Sequence, residues 1–258
     1  MLKYLRVIIK VLPSLIGAYF SWMIKYSKHP EKYDINLRFN RVQKLVRKVL
    51  IAFKVNVQYF NFDEFYQKAD KNRPYLIVAN HISDFDPLIF IAIAKKPLTV
   101  VGKVEISKYP FVNRIIKCLD GEFLDRKDLK QSLKVFKNIA SKMEKINNLD
   151  WLIFPEGTRN KININEVQAF HYGTFKSAMK TNSDIHVMSL LGTQRVLDIK
   201  CKNKMYPVLV KYNGTFSSED YAKLTTVVVS EQAQKLCNEG VKSLIEEERS
   251  LNIKLNKN

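Results

Sequence analysis

Residues 78–87 read Val-Ala-Asn-His-Ile-Ser-Asp-Phe-Asp-Pro and indicate the fold class of the chain. Residues 75–79, which follow a polar Asn-Arg-Pro segment, are apolar and favour a short buried strand. Residues 88–94 favour a buried helix, with Pro87 in its first turn and Asp86 at its N-cap. A strand that passes through a loop into a helix is typical of an α/β fold.

His81 and Asp86 lie in the crossing between this strand and this helix. Five residues along a helix would separate their side chains by about 140°, but a turn can bring them together. The turn would give an imidazole oriented by a carboxylate, at the end of a strand where α/β folds often have their sites. The alternative is a capping Asp beside a polar loop His. A metal site including Asp84 is disfavoured, because no second His or Cys is spaced to help.

The composition fits one large α/β domain or a domain with an appendage, since 46% of the 258 residues are hydrophobic. We predict a central mixed, largely parallel sheet flanked by helices. Residues 1–56 would form an N-terminal two-helix membrane-docking element and residues 57–258 the α/β domain. Cys118, Cys201 and Cys237 are far apart, which indicates thiols in a reducing compartment and not disulfides or a zinc site.

The net charge of +18 predicts an anionic partner, and +10 of it lies in residues 1–56, with twelve Lys and Arg against two acids. These basic residues alternate with apolar ones, and no RRM, zinc-finger or helix-turn-helix signature accompanies them. The pattern favours a membrane surface with anionic lipids over nucleic acid.

Residues 7–24 are strongly apolar, but Lys10 and Pro13 interrupt them and the uncharged run is only fourteen residues long. Because a bilayer crossing needs about 20 apolar residues, we expect an interfacial helix with Tyr19 and Trp22 at the headgroup level. A signal peptide is the alternative, although no convincing cleavage site follows.

Residues 35–54 form the best amphipathic helix of the chain, with Arg38 near its apolar stripe. A cationic polar face favours a helix that lies on a membrane, and a core helix with a solvated basic face is the alternative. The apolar stripe consists of Val42, Leu45, Val46, Val49, Leu50 and Phe53, and the basic face of Lys44, Arg47 and Lys48.

Further strands are predicted along the chain, and several end in polar residues. Residues 98–102 lead to Lys103, residues 120–126 end in Asp125-Arg126, and residues 150–154 enter the loop 155–160. The other predicted elements are a helix over 128–146, strands over 185–191, 206–212 and 224–229, an Asn213-Gly214 turn, and a last helix capped by Ser230.

The loop Pro155-Glu156-Gly157-Thr158-Arg159-Asn160 suits an anionic ligand. Gly157 lets the backbone come close to a ligand, and the N–H groups around it, including that of Thr158, can point at anionic oxygens. Arg159 offers a planar fork for phosphate, and Glu156 can accept a hydrogen bond from a ligand hydroxyl. The alternative is a β-turn with a surface salt bridge.

Three blocks together resemble the glycerolipid acyltransferases, most closely the bacterial 1-acylglycerol-3-phosphate acyltransferases. They are Asn80-His81-x4-Asp86, Phe-Leu-Asp-Arg at 123–126 and Phe-Pro-Glu-Gly-Thr-Arg at 154–159. The chain departs from the family pattern where Asp120 stands in place of a Gly, and where Val187 stands in place of a Pro.

The resemblance implies roles for eight residues. His81 would be the general base and Asp86 the residue that orients it. The acceptor's phosphate and glycerol would be bound by Arg126, Glu156, Gly157, Thr158 and Arg159, with Lys103 near the phosphate.

The implied reaction moves an acyl chain from a thioester, on acyl-carrier protein or coenzyme A, to the free hydroxyl of lysophosphatidate, giving phosphatidate at the cytoplasmic face of a membrane. An alcohol is a poor nucleophile near neutral pH, so a base such as His81 is needed. No cofactor or metal is required. No GxSxG, Walker A or GxGxxG motif is found, which argues against a serine hydrolase or a nucleotide-binding enzyme.

Three alternatives stay open. The same chemistry could use glycerol-3-phosphate or another lysophospholipid. A non-catalytic basic protein could coat membranes or bind nucleic acid. His81 and its neighbouring carboxylates could also serve a metal hydrolase.

Overall fold

Within residues 2–198 and 205–251, the part of the chain that the computed structural model describes, seven strands form one sheet. The strand order is β1-β7-β6-β2-β5-β3-β4, and only the β6–β7 pair is antiparallel. The predicted mixed, largely parallel sheet is therefore confirmed. The strands are β1 (Val55–Phe60), β2 (Leu76–Ala79), β3 (Leu98–Lys103), β4 (Glu122–Leu124), β5 (Asp150–Ile153), β6 (Ile185–Leu191) and β7 (Tyr206–Phe216).

Helices cover both faces of this sheet. They are α1 (Leu2–Ala18), α2 (Ile24–Lys28), α3 (Ile35–Ala52), α4 (Phe62–Lys68), α5 (Asp86–Ile93), α6 (Pro110–Cys118), α7 (Leu129–Lys145), α8 (Lys176–Lys180), α9 (Ser218–Tyr221) and α10 (Thr226–Ser250). A π-helical turn, Tyr19–Met23, joins α1 to α2.

Each face of the sheet has its own hydrophobic core. Side chains alternate between faces along a strand, so Ile77 and Ala79 of β2 join one core while Leu76 and Val78 join the other. Helices α1 to α6 pack in the first core and α7 to α10 in the second. The N-terminal helices and α7 therefore lie on opposite sides of the sheet.

The apolar stripe of α3 packs inside the protein. Val42, Val46 and Leu50 are buried in the same core as α5, and the Gln43 side chain donates to the α5 carbonyl of Ile91 at 2.9 Å. The prediction of a membrane-lying α3 is wrong for this stripe, because sequence periodicity does not distinguish a protein core from a lipid surface. The basic face of α3 remains exposed.

The α1 segment is apolar on two sides. Val11, Ala18 and Trp22 face the core, whereas Ile9, Ile16 and other apolar side chains face outward. Trp22, buried at 8% exposure, is thus not at a headgroup level, because the helix turns it inward. Among the described residues no helix is both long and apolar enough to cross a bilayer. The outward stripe consists of Ile9, Leu12, Ile16 and Phe20.

Arg38 and Asp120 connect α3 to the loop before β4. The Arg38 guanidinium is buried and donates to Asp120 Oδ2 at 2.7 Å and to the Cys118 carbonyl at 2.6 Å. Asp120 has a left-handed φ of 57°, a conformation that Gly adopts freely and Asp tolerates. The substitution of Asp for the family's Gly therefore supplies the carboxylate that pairs with a buried arginine. The predicted domain boundary at residue 56 falls inside β1.

Three predictions near the C-terminus are wrong. Asn213-Gly214 is not a turn, because β7 continues through it and the pairing with β6 shifts between Val187 and Met188, which leaves Asn213 as the extra residue of a bulge. Residues 226–229 begin α10 instead of forming a strand, and the Thr225 side chain caps that helix in place of Ser230. Cys118 and Cys237 are free and buried, and Cys201 lies outside the described residues.

Candidate active site

The sequence blocks meet because their strands are parallel neighbours. β2, β5, β3 and β4 lie side by side in that order, so their carboxyl ends lie along one edge of the sheet. His81 follows β2, the loop 155–160 follows β5, Lys103 ends β3 and Arg126 follows β4. Parallel α/β sheets place their ligands outside this edge.

His81 and Asp86 are in contact, as the turn between β2 and α5 predicts. His81 Nδ1 lies 2.7 Å from Asp86 Oδ2, and the ring stacks on Phe154 with 4.4 Å between centroids. The imidazole keeps 17% side-chain exposure, and its Nε2 has no hydrogen-bond partner among the described residues. One ring nitrogen is thus oriented, while the other makes no hydrogen bond within the described part of the chain.

Asp86 is fully buried and accepts from four donors. Besides His81, the backbone N–H groups of Ile82 and Ser83 donate to Oδ2 at 2.7 and 2.8 Å. The Thr193 hydroxyl donates to Oδ1 at 2.5 Å. The predicted N-cap role of Asp86 is wrong, because its carboxylate turns back to the preceding loop and the helix begins at Asp86 itself.

The loop that follows β5 is hydrogen-bonded to the backbone of His81 on both sides. The His81 N–H donates to Glu156 Oε1 at 2.6 Å, and the Asn160 N–H donates to the His81 carbonyl at 2.7 Å. Glu156 Oε2 accepts from the Gln168 N–H at 3.1 Å. Hydrogen bonds therefore join the His81 turn to the loop 155–160, although His81 and Glu156 are 75 residues apart in sequence.

Glu156 is 3% exposed, and burial raises the pKa of its carboxyl to about 7, against the opposing effect of its two backbone donors. The buried carboxyl is hydrogen-bonded to the His81 backbone. Its predicted contact with a substrate hydroxyl stays a prediction.

Arg159 pairs with an acid of the His81 loop. Its Nη1 lies 2.5 Å from Asp84 Oδ2, with both side chains at least one-third exposed (37% and 63%). The guanidinium is thus near the His81 turn.

Arg126 approaches the same loop from β4. Gly157 has a φ of 73°, and a Cβ added to it would lie 3.4 Å from Arg126 Cζ and 2.8 Å from His171 Cδ2. Only glycine fits there without displacing the His171 ring. The loop therefore brings the backbone of Gly157 between two cationic or polar side chains.

Lys103 and Thr158 are both exposed. Lys103 Nζ pairs with Glu105 at 2.7 Å. Burial lowers the pKa of the Arg126 guanidinium, against the opposing effect of the Glu105 charge. Thr158 has no hydrogen bond from its side chain among the described residues. Their contacts with substrate stay predictions.

The model of the family described as "Acyltransferase" matches residues 60–192, which is more than half of the chain. This chain belongs to the acyltransferase family. The matched range contains all eight residues for which a role was predicted.

Curated relatives support the assignment. The acyltransferase is 30% identical over 212 residues to a probable 1-acyl-sn-glycerol-3-phosphate acyltransferase of Mycoplasma pneumoniae, covering 77% of this chain and 75% of the relative. A protein of the same description from Mycoplasma genitalium is 28% identical over 191 residues, covering 71% and 68%.

A solved structure has the same fold. The crystal structure of the 1-acyl-sn-glycerophosphate acyltransferase from Thermotoga maritima superimposes with a TM-score of 0.68, 20% identity, and coverage of 94% of this chain and 97% of that one. At this identity the likeness concerns the fold.

Two residues of the acyltransferase site were not predicted. Thr193 lies at the end of a predicted strand, but nothing local in the sequence indicates that it reaches Asp86, 107 residues away. His171 lies beside Gly157, and only its N–H contact with the Pro155 carbonyl at 2.9 Å places it there. Among the described residues, no group of three or more His, Cys, Asp and Glu could hold a metal ion.

Proposed function

We propose that this acyltransferase moves a fatty acyl chain from a thioester to the free hydroxyl of lysophosphatidate, giving phosphatidate. The observation that carries the proposal is the pair of hydrogen bonds that joins the His81 backbone to the Arg159 loop. A base for the hydroxyl and cations for the phosphate are thereby at one edge of the sheet. The printed names of the relatives support this acceptor.

His81 is proposed as the general base. An ionised Asp86 carboxylate only accepts hydrogen bonds, so Nδ1 carries the ring proton and the lone pair of Nε2 is available. Nε2 takes the proton of the acceptor hydroxyl while the oxygen of that hydroxyl attacks the thioester carbonyl. The C–S bond then breaks, and the imidazolium returns the proton to the leaving thiolate. The substrate hydroxyl is the nucleophile, so no acyl-enzyme forms.

Arg159 and Arg126 are proposed to bind the acceptor phosphate. Arg159 can present two N–H groups to it, and Arg126 reaches the other side of Gly157. Thr158 and Lys103 would complete the anionic site from the exposed rim. Glu156 would act through His81, because its carboxyl group accepts a hydrogen bond from the His81 backbone N–H.

Membrane association is proposed through α1 and α3. The exposed apolar stripe of α1 offers Ile9, Leu12, Ile16 and Phe20 to a lipid surface. The exposed basic face of α3, which includes Arg41, Lys44 and Lys48, would contact anionic headgroups. The lipid acceptor would enter the site from the membrane, at its cytoplasmic face. The thioester donor would be acyl-carrier protein or acyl-CoA.

The test is transfer of a labelled acyl chain by purified protein to acceptors assayed side by side. We expect lysophosphatidate to be used in preference to glycerol-3-phosphate and to lysophospholipids with larger headgroups. Transfer to glycerol-3-phosphate with a higher kcat/KM would overturn the acceptor assignment. Product formation by His81→Ala at the wild-type rate would overturn the mechanism.

A further inference from the structure

Helix α7 has an exposed face that combines leucines with lysines. Leu129 and Leu133 are 73% and 43% exposed, and Lys130, Lys134 and Lys137 are exposed beside them. On an ideal helix these five side chains fall within an arc of about 140°. We name this surface the α7 patch.

The α7 patch is basic, and no acidic side chain within it neutralises its charge. From Leu129 to Met143 the helix contains no acidic residue. Its three lysines make no ion pair within the described part of the chain, whereas Lys142, on the other side, pairs with Glu122 at 2.7 Å. Two exposed leucines beside three unpaired cations offer an acidic macromolecule both apolar contact and complementary charge.

The start of α7 is linked directly to the proposed phosphate site. Gln131 donates to the Phe123 carbonyl at 2.7 Å and accepts from the Asp125 N–H at 2.9 Å. The Ser132 hydroxyl donates to the Asp125 carbonyl at 2.8 Å. These bonds fix the segment that ends in Arg126, so a partner on the α7 patch would lie next to the edge of the sheet where acyl transfer is proposed.

The α7 patch does not face the membrane that α1 would contact. Val135, Ile139 and Met143 of α7 belong to one hydrophobic core, and Trp22, Val42 and Leu50 of the N-terminal helices belong to the core on the opposite face of the sheet. A flat bilayer against the α1 stripe therefore leaves the α7 patch in water. A convex helix face also suits another protein better than a small anionic ligand, which needs a concave site.

We infer that the α7 patch is the docking site of an acidic carrier protein that presents the acyl chain as a thioester. The inference rests on the acyl-transfer function proposed above, and it assigns a docking surface to one of the two donors named there. The lysines would attract the acidic carrier and set its orientation, and Leu129 and Leu133 would contact its apolar side chains. Lipid would then enter from one face of the molecule and the donor from the other.

The test compares two donors in the full-length protein: a purified acidic acyl-carrier protein loaded with palmitate, and palmitoyl-CoA. The variant Lys130→Glu/Lys134→Glu/Lys137→Glu should raise the KM for the carrier-bound donor about tenfold or more at low salt, with a smaller difference at high salt. The KM for palmitoyl-CoA and that for lysophosphatidate should stay within about twofold of wild type.

The matched control is Lys223→Glu/Lys235→Glu/Lys242→Glu, which makes the same change of net charge at exposed positions in and next to α10. It should behave as wild type with both donors. A second variant, Leu129→Ser/Leu133→Ser, should also affect only the carrier-bound donor.

Four results with the variants would overturn the inference. They are a carrier KM that is unchanged in the α7 variant, parallel loss with both donors, an equal effect in the α10 control, and a loss of binding to anionic vesicles by the α7 variant in place of a loss with the carrier. Wild-type transfer from palmitoyl-CoA alone would also overturn it while leaving the proposed function intact. Transfer from neither donor would remove the proposed function, and the inference with it.

Discussion

Two histidines of this molecule, His81 and His186, have opposite surroundings. The His81 ring is partly exposed, with a carboxylate on Nδ1 and no hydrogen-bond partner for Nε2 among the described residues. His186 is fully buried, its Nδ1 lies 2.6 Å from the Thr215 hydroxyl, and the aromatic rings of Phe65 and Tyr75 pack against its edge. Burial lowers the pKa of His186 to about 3, and the charges of nearby lysines add to this effect.

The difference shows what makes a histidine suitable for proton transfer in this fold. His186 lies in β6 and His81 follows the end of β2, and these two strands are parallel neighbours. Only His81 has a partner that stabilises the protonated ring together with access for a substrate. A small cavity of about 20 Å³, lined by Phe65, Tyr75 and other residues, lies on the His186 side, so a cavity alone does not mark the chemistry.

The largest expected effect separates these two histidines. His81→Ala should lower kcat by about 10²- to 10⁴-fold with an unchanged melting temperature, because the base is lost from a partly exposed position. His186→Leu should keep kcat within about twofold in the folded protein, because a ring with so low a pKa transfers no proton near pH 7. Steady-state kinetics and thermal unfolding measure both. Equal losses of kcat in the two variants would contradict the comparison.

A smaller effect is expected at the residue that supports Asp86. Thr193→Val removes the hydroxyl that donates to Asp86 Oδ1, and kcat should fall about tenfold or more, since a hydrogen bond to a charged group contributes about 1.5–3 kcal/mol. The control is Thr99→Val, because the buried Thr99 hydroxyl has no hydrogen-bond partner among the described residues. It should leave both rate and stability unchanged or raise stability slightly. A Thr193→Val enzyme with the wild-type kcat would remove Thr193 from the mechanism.

The next effect concerns the acceptor and not the base. Asp84→Asn frees Arg159 from its carboxylate, so the KM for lysophosphatidate should fall about two- to fivefold with kcat unchanged, as expected for an exposed ion pair. Asp63→Asn, at an exposed position of α4, is the charge-matched control and should change neither constant. A rise in KM on Asp84→Asn would mean that Asp84 assists acceptor binding.

The smallest effect is a pH dependence of stability. Burial raises the pKa of Glu156 from 4.5 to about 7, so the folded state holds a proton that the unfolded state has lost between these values. The free energy of unfolding should therefore fall as pH rises from about 4.5 to 7. Glu156→Gln should lack this component, while the similarly raised pKa of Asp150, about 7, acts in both proteins and cancels in their difference. Urea unfolding at several pH values measures it, and identical pH profiles would contradict the assignment.

Local sequence was sufficient where short-range geometry decides the structure. The contact of His81 with Asp86 follows from a strand, a turn and a helix within a dozen residues, and the helix predicted over 128–146 is α7. The predicted mixed, largely parallel sheet is also confirmed, and the carboxyl ends of its parallel strands lie along one edge.

Local sequence was insufficient where contacts between distant segments determine the structure. The same amphipathic pattern suits a membrane and a protein core, so it could not say which surface α3 covers. β6 pairs with β7 along its whole length, so Asn213-Gly214 forms a bulge within β7. The turn propensity of an Asn-Gly pair does not predict such long-range pairing. The hydrogen bonds that the Glu156 oxygens accept from the N–H groups of His81 and Gln168 join distant segments, and the loop sequence alone did not predict them.

The central claim is that His81 and the Arg159 loop serve one acceptor molecule. Imidazole NMR of the purified protein, which has four histidines, tests it during titration with a short-chain lysophosphatidate. We predict that the His81 ring signals shift with saturation while the His186 signals do not. In Arg159→Ala, the same shift should require about tenfold more ligand, because a charge-assisted contact is lost. Saturable binding of the acceptor, confirmed by calorimetry, with unmoved His81 signals would contradict the claim.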